Sequence, residues 1–248
     1  MRVLALDTTT RSLSAAVVED DRVVAERTCD AARTHAEQLP SSLVALLADA
    51  GIEIAAIDVF AVAAGPGSFT GLRIGIATAQ GFALVLKRKV VAVSVLDALA
   101  HAAAGEDVAT GAIVASWIDA HRRDVFTALY RIEEGPRFSG ERLTLLEAAA
   151  VGDPGEALSR WTVAGYAPDL VVGSGAVLYS GIVGERLPAA RIVAPPALAP
   201  VIGRLASVRA RQGDAVDPAG VQPVYVRRPD AEIARDRTEP LPTPRTRR

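Results

Sequence analysis

Gly65-Pro66-Gly67-Ser68-Phe69-Thr70-Gly71-Leu72-Arg73-Ile74-Gly75 is the stretch on which the reading of this chain turns. An apolar run, Val59 to Ala64, leads into it, and a helical run, Leu72 to Leu86, leads out. A glycine-rich turn between a strand and a helix gathers backbone N–H groups at the positive end of the helix dipole, where proteins hold anions or bring two backbones close. The spacing departs from both common phosphate codes. A dinucleotide loop needs glycine where Thr70 stands, and a Walker A loop needs Lys and then Ser or Thr where Leu72 and Arg73 stand. Anion binding and close packing therefore both stay open for Gly65, Gly67, Ser68, Thr70 and Gly71. Arg73 falls in the first turn of the expected helix, where a cation opposes the dipole and favours a functional or pairing role.

Upstream of this loop, Arg2–Leu6, Ser12–Glu19 and Arg22–Arg27 are short apolar or alternating runs punctuated by turn residues, which reads as a three-strand antiparallel meander. Thr34 and Glu37 match a capping box, and Leu39, Leu43, Leu46 and Leu47 follow at helical spacing up to Gly51. Pro40 inside that pattern is expected to kink the helix or loosen its first turns. Strand 57–64, helix 72–86, strand 89–93 and helix 95–104 complete the order β-β-β-α-β-α-β-α. Downstream, Ala112–Ile118 and Asp124–Arg131 read as strands, Glu141–Leu146 as a third, and 147–170 shows no clear period. Leu170–Val172 and Arg191–Val193 read as strands, Ala176–Gly184 and Leu198–Gln212 as helices, and Val221–Val226 as a strand or extended segment. Two ribonuclease-H-like units in tandem, 1–105 and 106–226, are the expected α/β architecture, with no repeat visible in sequence. The tail 227–248 is charged, contains proline, and is expected to be disordered at its end.

Composition narrows the functions. Half of the 248 residues are apolar and the formal charge is −2, which gives a large core and no global electrostatic footprint for nucleic acid. Any RNA is expected to be gripped elsewhere. Cys29 is alone, so no internal disulfide forms and a reducing cytoplasm is expected. Met1–Asp7 reads as a strand and not as a signal peptide. Ile74–Leu86, the nearest approach to a membrane span, is too short.

Several residues invite chemistry. Asp7 closes the first strand before Thr8-Thr9-Thr10; a carboxylate followed by hydroxyls can hold magnesium and phosphate, or simply form an Asx turn. Asp119-Ala120-His121-Arg122-Arg123-Asp124 is a charged turn that could be catalytic, a phosphate contact or a solvated hairpin. Gly173-Ser174-Gly175 could lie near an adenosine or cap a helix. Helix 72–86 is apolar on all its faces, which demands burial on every side, against the chain's own helices or against a partner. The three histidines, His35, His101 and His121, lack metal-ligand spacing, and no G-x-S-x-G elbow exists, so nucleophilic hydrolysis is poorly supported.

Leu4-Ala5-Leu6-Asp7-Thr8-Thr9, Thr34-His35-Ala36-Glu37-Gln38-Leu39 and the glycine segment closely resemble the TsaB family of bacterial tRNA threonylcarbamoyladenosine biosynthesis proteins. Ile118-Asp119-Ala120 with Arg122, Gly173-Ser174-Gly175-Ala176 and Pro223-Val224-Tyr225-Val226-Arg227 match in family order, so the resemblance covers about residues 1–230. It implies a tandem actin/hexokinase-type fold with a reduced second half. It implies a cytoplasmic, non-catalytic partner of a larger TsaD-like paralogue, which carries a histidine-ligated metal and transfers threonylcarbamoyl to the adenosine beside the anticodon of ANN-decoding tRNAs. A TsaE-like ATPase joins the complex, and the free chain pairs with itself. No cofactor, metal or catalytic residue is implied for this chain, and the older peptidase label fits it badly. The expected pairing surface is His35, Leu39, Leu43, Leu72, Arg73, Ile76, Ala79 and Phe82, with Ile76 or Phe82 facing outward. A nucleotide or anion, if bound, would meet Asp7, Thr8, Thr9, the glycine loop and Gly173, as in an ATPase or kinase of this fold. Asp119-Ala120-His121 stands where actin-like ATPases carry a glycine-rich second phosphate loop, which counts against efficient hydrolysis.

Overall fold

The computed structural model describes residues 1–29, 34–105 and 107–227; the expected disordered tail beyond Arg227 lies outside the described residues. Three antiparallel strands open the chain: β1 (Arg2–Asp7), β2 (Leu13–Glu19) and β3 (Arg22–Cys29). Helix α1 (His35–Ala50), β4 (Val59–Gly65), α2 (Phe69–Leu86), β5 (Lys89–Ser94) and α3 (Val95–Ala103) follow. The second half repeats the plan with β6 (Ile113–Asp119), β7 (Val125–Ile132), β8 (Leu143–Gly152), α4 (Pro154–Val163) and β9 (Leu170–Val172). It ends with α5 (Ser174–Leu178), α6 (Ser180–Arg186), β10 (Arg191–Val193) and α7 (Ala199–Gln212).

The two sheets have strand orders β3-β2-β1-β4-β5 and β8-β7-β6-β9-β10. In each, the first three strands in chain order pair antiparallel and the last two join in parallel. This is the tandem ribonuclease-H-like, actin/hexokinase architecture. The second half is reduced in its details: β9 and β10 have three residues each, and the helix expected over 176–184 is split at Tyr179 into α5 and α6.

Period-2 alternation distributes the core. Leu4 and Leu6 of β1 point to one face, where Leu39, Leu43 and Leu46 of α1 and Ile76, Ala79 and Ala83 of α2 cover them. Val3 and Ala5 point to the other face, into a core shared by both halves. There α7, the last helix, crosses back to pack on β1 and β2 of the first unit. Gly203 permits that approach, because a Cβ there would stand 2.5 Å from Val18 Cγ2. Helix α3 packs in turn on β6. Asp97 of α3 ties the layers together, accepting from Tyr130 Oη of β7 at 2.7 Å and from Arg209 Nη2 of α7 at 3.2 Å.

Several expectations change. Helix α2 starts at Phe69, because Ser68 Oγ caps the Gly71 N–H at 3.2 Å. Arg73 therefore lies in the second turn. The longer α2 has the length and apolar composition of a membrane span. Its packing on β4 and α1 makes it an outer-layer helix of the first sheet. Helix α1 runs without interruption through Pro40, whose missing N–H would have faced the C=O of exposed Ala36. The unassigned stretch holds the end of β8 and α4, whose start is marked by Asp153 capping Gly155 and Glu156 and by Pro154 at the first helical position. Val221–Val226 forms no strand; it is an extended strap across the first unit.

Candidate functional site

The β1–β2 turn is where Asp7 and the threonines meet the glycine loop. Asp7 is 4% exposed, and its Oδ1 accepts from the Thr9 N–H at 2.9 Å and from Thr9 Oγ1 at 2.6 Å. Burial raises its carboxyl above the ordinary value, against the opposing pull of the Thr9 donors and nearby His35. Thr8 Oγ1 donates to the Gly71 C=O at 2.7 Å, Thr10 Oγ1 donates to the Ser12 C=O at 3.1 Å, and the Thr9 C=O accepts from the Ser68 N–H at 2.7 Å. The hydroxyls of Thr8, Thr9 and Thr10 thus all have partners inside the chain. His35 Nε2 sits 2.7 Å from the Thr10 C=O, tying the start of α1 to the same turn.

The glycines of the loop serve that packing. A Cβ on Gly67 would stand 2.6 Å from Thr9 Cβ, one on Gly71 would overlap the Thr8 C=O, and one on Gly75 would overlap Thr8 Oγ1. Gly65, at φ +115°, leaves room for the C=O of Val224, which would be 2.6 Å from its Cβ. Thr70 lies exposed at the start of α2.

The same design recurs across the molecule. Asp119 closes β6 as Asp7 closes β1, and its Oδ1 accepts from the N–H two residues on, His121, at 2.8 Å. Gly173 follows β9 at φ +124°, pressed against the Trp117 C=O, and Gly175 packs on Ile118 and Asp119. The turn after Asp119 holds His121, Arg122 and Arg123 at φ +57°, +56° and +70°, three consecutive non-glycine residues in the left-handed region. Arg227 pins this turn: its Nη1 donates to the Ala120 C=O at 2.7 Å and its Nη2 pairs with Asp124. That contact was invisible in the sequence, since its partners lie over a hundred positions apart.

The outer helices make a second feature. Leu39, Leu43, Leu72, Ile76 and Ala79, all expected at the pairing surface, are at most 5% exposed and belong to the chain's own core. Phe82 is half-buried and stacks on Phe60 at 5.9 Å. The facing expected for Ile76 is thereby corrected. The glycines at 71 and 75 turn that side of α2 to the sheet, and Ala77 points outward instead. What remains exposed is a stripe on each helix. Ala36, Pro40 and Val44 recur every four residues on α1, with Ala77, Gly81 and Val85 beside half-buried Ile74 on α2. A shallow apolar groove runs between the helices, floored by Leu39 and Leu43 and walled by Ile74, Ala77 and Phe82. Val44 and Val85 are 71% and 79% exposed.

The TsaD family, tRNA N6-adenosine threonylcarbamoyltransferase, matches residues 28–171. The tRNA threonylcarbamoyladenosine biosynthesis protein TsaB of Escherichia coli is 34% identical, over 92% of this chain and 95% of its own. The chain belongs to the TsaB family. An uncharacterized Mycobacterium tuberculosis protein is 36% identical over 93% of each chain. The structure of YeaZ from Pseudomonas aeruginosa superposes with a TM-score of 0.71 at 31% identity, over 90% of this chain and 99% of that one.

In this TsaB-family chain the sequence motifs converge in space. The β1 end meets the glycine loop through Thr8 and Thr9, the start of α1 meets it through His35, and Pro223–Arg227 joins Gly65 to the Ala120 turn. The histidines go three separate ways. His35 bonds the turn, His121 is exposed, and His101 is buried beside Phe138, where desolvation, with Asp97, Arg209 and Arg142 nearby, lowers it from 6.5 to about 4.

Proposed function

We propose that this TsaB-family chain serves tRNA threonylcarbamoyladenosine biosynthesis as a non-catalytic subunit. It docks through the outer face of α1 and α2 on a TsaD-like paralogue and holds that enzyme in its active form. The observation that carries this reading is the pair of apolar stripes, Ala36-Pro40-Val44 and Ala77-Gly81-Val85, on two packed helices with a groove between them. Stripes at this spacing fit two helices of a partner in a four-helix arrangement. When the paralogue is absent, a second copy of this chain covers the same face. The paralogue supplies the metal and the threonylcarbamoyl transfer to adenosine, and a TsaE-like ATPase joins the pair. A formal charge of −2 supports an RNA held mostly by other subunits. The complex works in the cytoplasm, where Cys29 stays a thiol.

The alternative, an ATPase or kinase with phosphates at Asp7 and the glycine loop, finds less support. The hydroxyls of Thr8, Thr9 and Thr10 already have internal partners, and the space left by Gly67, Gly71 and Gly75 is filled by Thr8 and Thr9.

The test is light scattering after size exclusion, on the chain alone and mixed with the paralogue from the same cell. A homodimer that gives way to a heterodimer is the expected result. A chain that ignores the paralogue would overturn the reading, and ATP turnover abolished by Asp7→Ala would favour the alternative.

A further inference from the structure

After α7 the chain returns across the first unit as a strap that reaches the second unit at Arg227. Val216 pairs with Val90 at the edge of β5 through two 2.9 Å hydrogen bonds. Gln80 Nε2 then holds the Pro218 and Val221 carbonyls at 2.8 and 3.2 Å, and the Val221 side chain is buried in the first unit's core. The Val224 N–H donates to the Ala64 C=O at 2.7 Å. Tyr225 lies on Phe69 with ring centroids 5.3 Å apart. Arg73 covers the other ring, its guanidinium carbon 3.9 Å from the Phe69 centroid, and its Nε donates to Tyr225 Oη at 3.3 Å. Two residues further on, Arg227 grips Ala120 and Asp124 of the second unit.

The outcome is an aromatic–arginine cluster that is both exposed and held. Phe69 and Tyr225 are 41% and 40% exposed, and Val224 beside them is 49% exposed. Arg73 forms no ion pair among the described residues. Isolated exposed aromatics need no explanation, but two rings in tilted contact, with an arginine over one of them, match the residue types that anchor protein interfaces. The strap is fastened on both sides of Tyr225, at Val224 and at Arg227, so little side-chain freedom is left to lose on binding. The cluster is also continuous with the docking face: Arg73 precedes Ile74 and stands one turn before Ala77 on α2.

We propose that Phe69, Arg73 and Tyr225 form the anchoring hot spot of the docking face, and that Arg227 is its positioning residue. The occupant is the TsaD-like paralogue, so this inference rests on the function proposed above. Its contact surface presents an apolar side chain to the two rings and a carboxylate opposite Arg73.

Calorimetric titration of the full chain with the paralogue tests this. Tyr225→Ala is expected to weaken binding about 30-fold and Tyr225→Phe less than about threefold, because the ring carries most of the contact. Arg227→Gln is expected to cost about fivefold by letting the strap fray, and nothing further in a Tyr225→Ala background. An Arg227 with a purely structural role would cost the same in both backgrounds. Should Tyr225→Ala fail to fold, Arg73→Gln, which leaves both rings in place, takes its place with an expected loss of about tenfold. If Tyr225→Ala binds within about twofold of the native chain while Ala77→Glu abolishes binding, the docking face stands and the hot spot is overturned. If the native chain itself does not bind, both fall together.

Discussion

The two units share one scaffold and finish it differently. Their strand orders are the same, each closes its first strand with an aspartate capped two residues on, and each has a positive-φ glycine at the end of its fourth strand, Gly65 as the last residue of β4 and Gly173 just after β9. The outer helices part company. In the first unit α1 and α2 leave apolar stripes facing away from the sheet. In the second, the exposed side of α4 carries Glu156, Ser159, Arg160 and Thr162, and Arg160 clips onto Glu147 of β8 through bonds of 3.0 and 2.8 Å. The outer side of α4 is thus mostly polar up to Val163, and the second unit's other exposed apolar side chains, Val177, Leu178 and Ile182, sit on the short α5 and α6 and not on two long packed helices. The difference teaches that two units with one strand order can carry different outer layers, so the face proposed for docking comes from the residues of α1 and α2 and not from the fold.

Substitutions can break this comparison in order of expected effect. Gly71→Ala and Gly173→Ala strike the shared scaffold. A Cβ at either site overlaps a backbone carbonyl, of Thr8 or Trp117, and Gly173 must also hold φ +124°. Each is expected to cost about 3 kcal/mol or more, read as a lowered denaturation midpoint. Equal losses would mean that both units depend on the same close approach; a tolerated Gly173→Ala would set the second unit apart.

Acid probes the seam between the units. His101 titrates near 6.5 when unfolded and near 4 when folded, so the unfolded chain binds the extra proton across that window. Stability present above pH 6.5 is therefore expected to drain as pH falls to 4, by up to about 3 kcal/mol, and His101→Met should flatten that slope in urea titrations.

Charge on the helix faces separates the units most directly. Ala77→Glu is expected to weaken association at least about 100-fold, with an unchanged melting temperature, because its side chain points to solvent in the free chain. Val163→Glu, at 89% exposed on α4, should leave association as it is. The smallest effect belongs to glycines with open space. Gly81→Ala and Gly184→Ala should each stabilise their helix by about 0.5–1 kcal/mol, and Gly81→Ala alone should also weaken pairing, since its methyl enters the docking stripe.

Much of the scaffold was legible because it is written locally. Leu170–Val172 and Arg191–Val193 are apolar runs bounded by turn residues, and the structure has strands at those residues. The capping box at Thr34 marks the start of α1. The second unit's edge was harder. Strand β8 carries Ala148-Ala149-Ala150, which suit a helix as well as an edge strand, although Asp153-Pro154 announces α4 clearly enough in hindsight. The facing of α2 could not be read at all. A helix apolar on every side has no periodic face, and Thr8, some sixty residues earlier, decides which side meets the sheet. The strap has no period either, and its bonds to Ala64 and Ala120 span too much chain for spacing to reveal.

The return of α7 onto the first sheet bears on how this protein is made. Val3, Ala5, Ala16 and Val18 form a finished wall of β-structure soon after the first hundred residues are synthesised, yet the helix that covers part of it begins at Ala199. At about 5–20 residues per second, the ribosome leaves that wall bare for about 5–20 s. For that interval α3 is the first unit's own cover on that side, and the apolar side chains that α7 later buries face water.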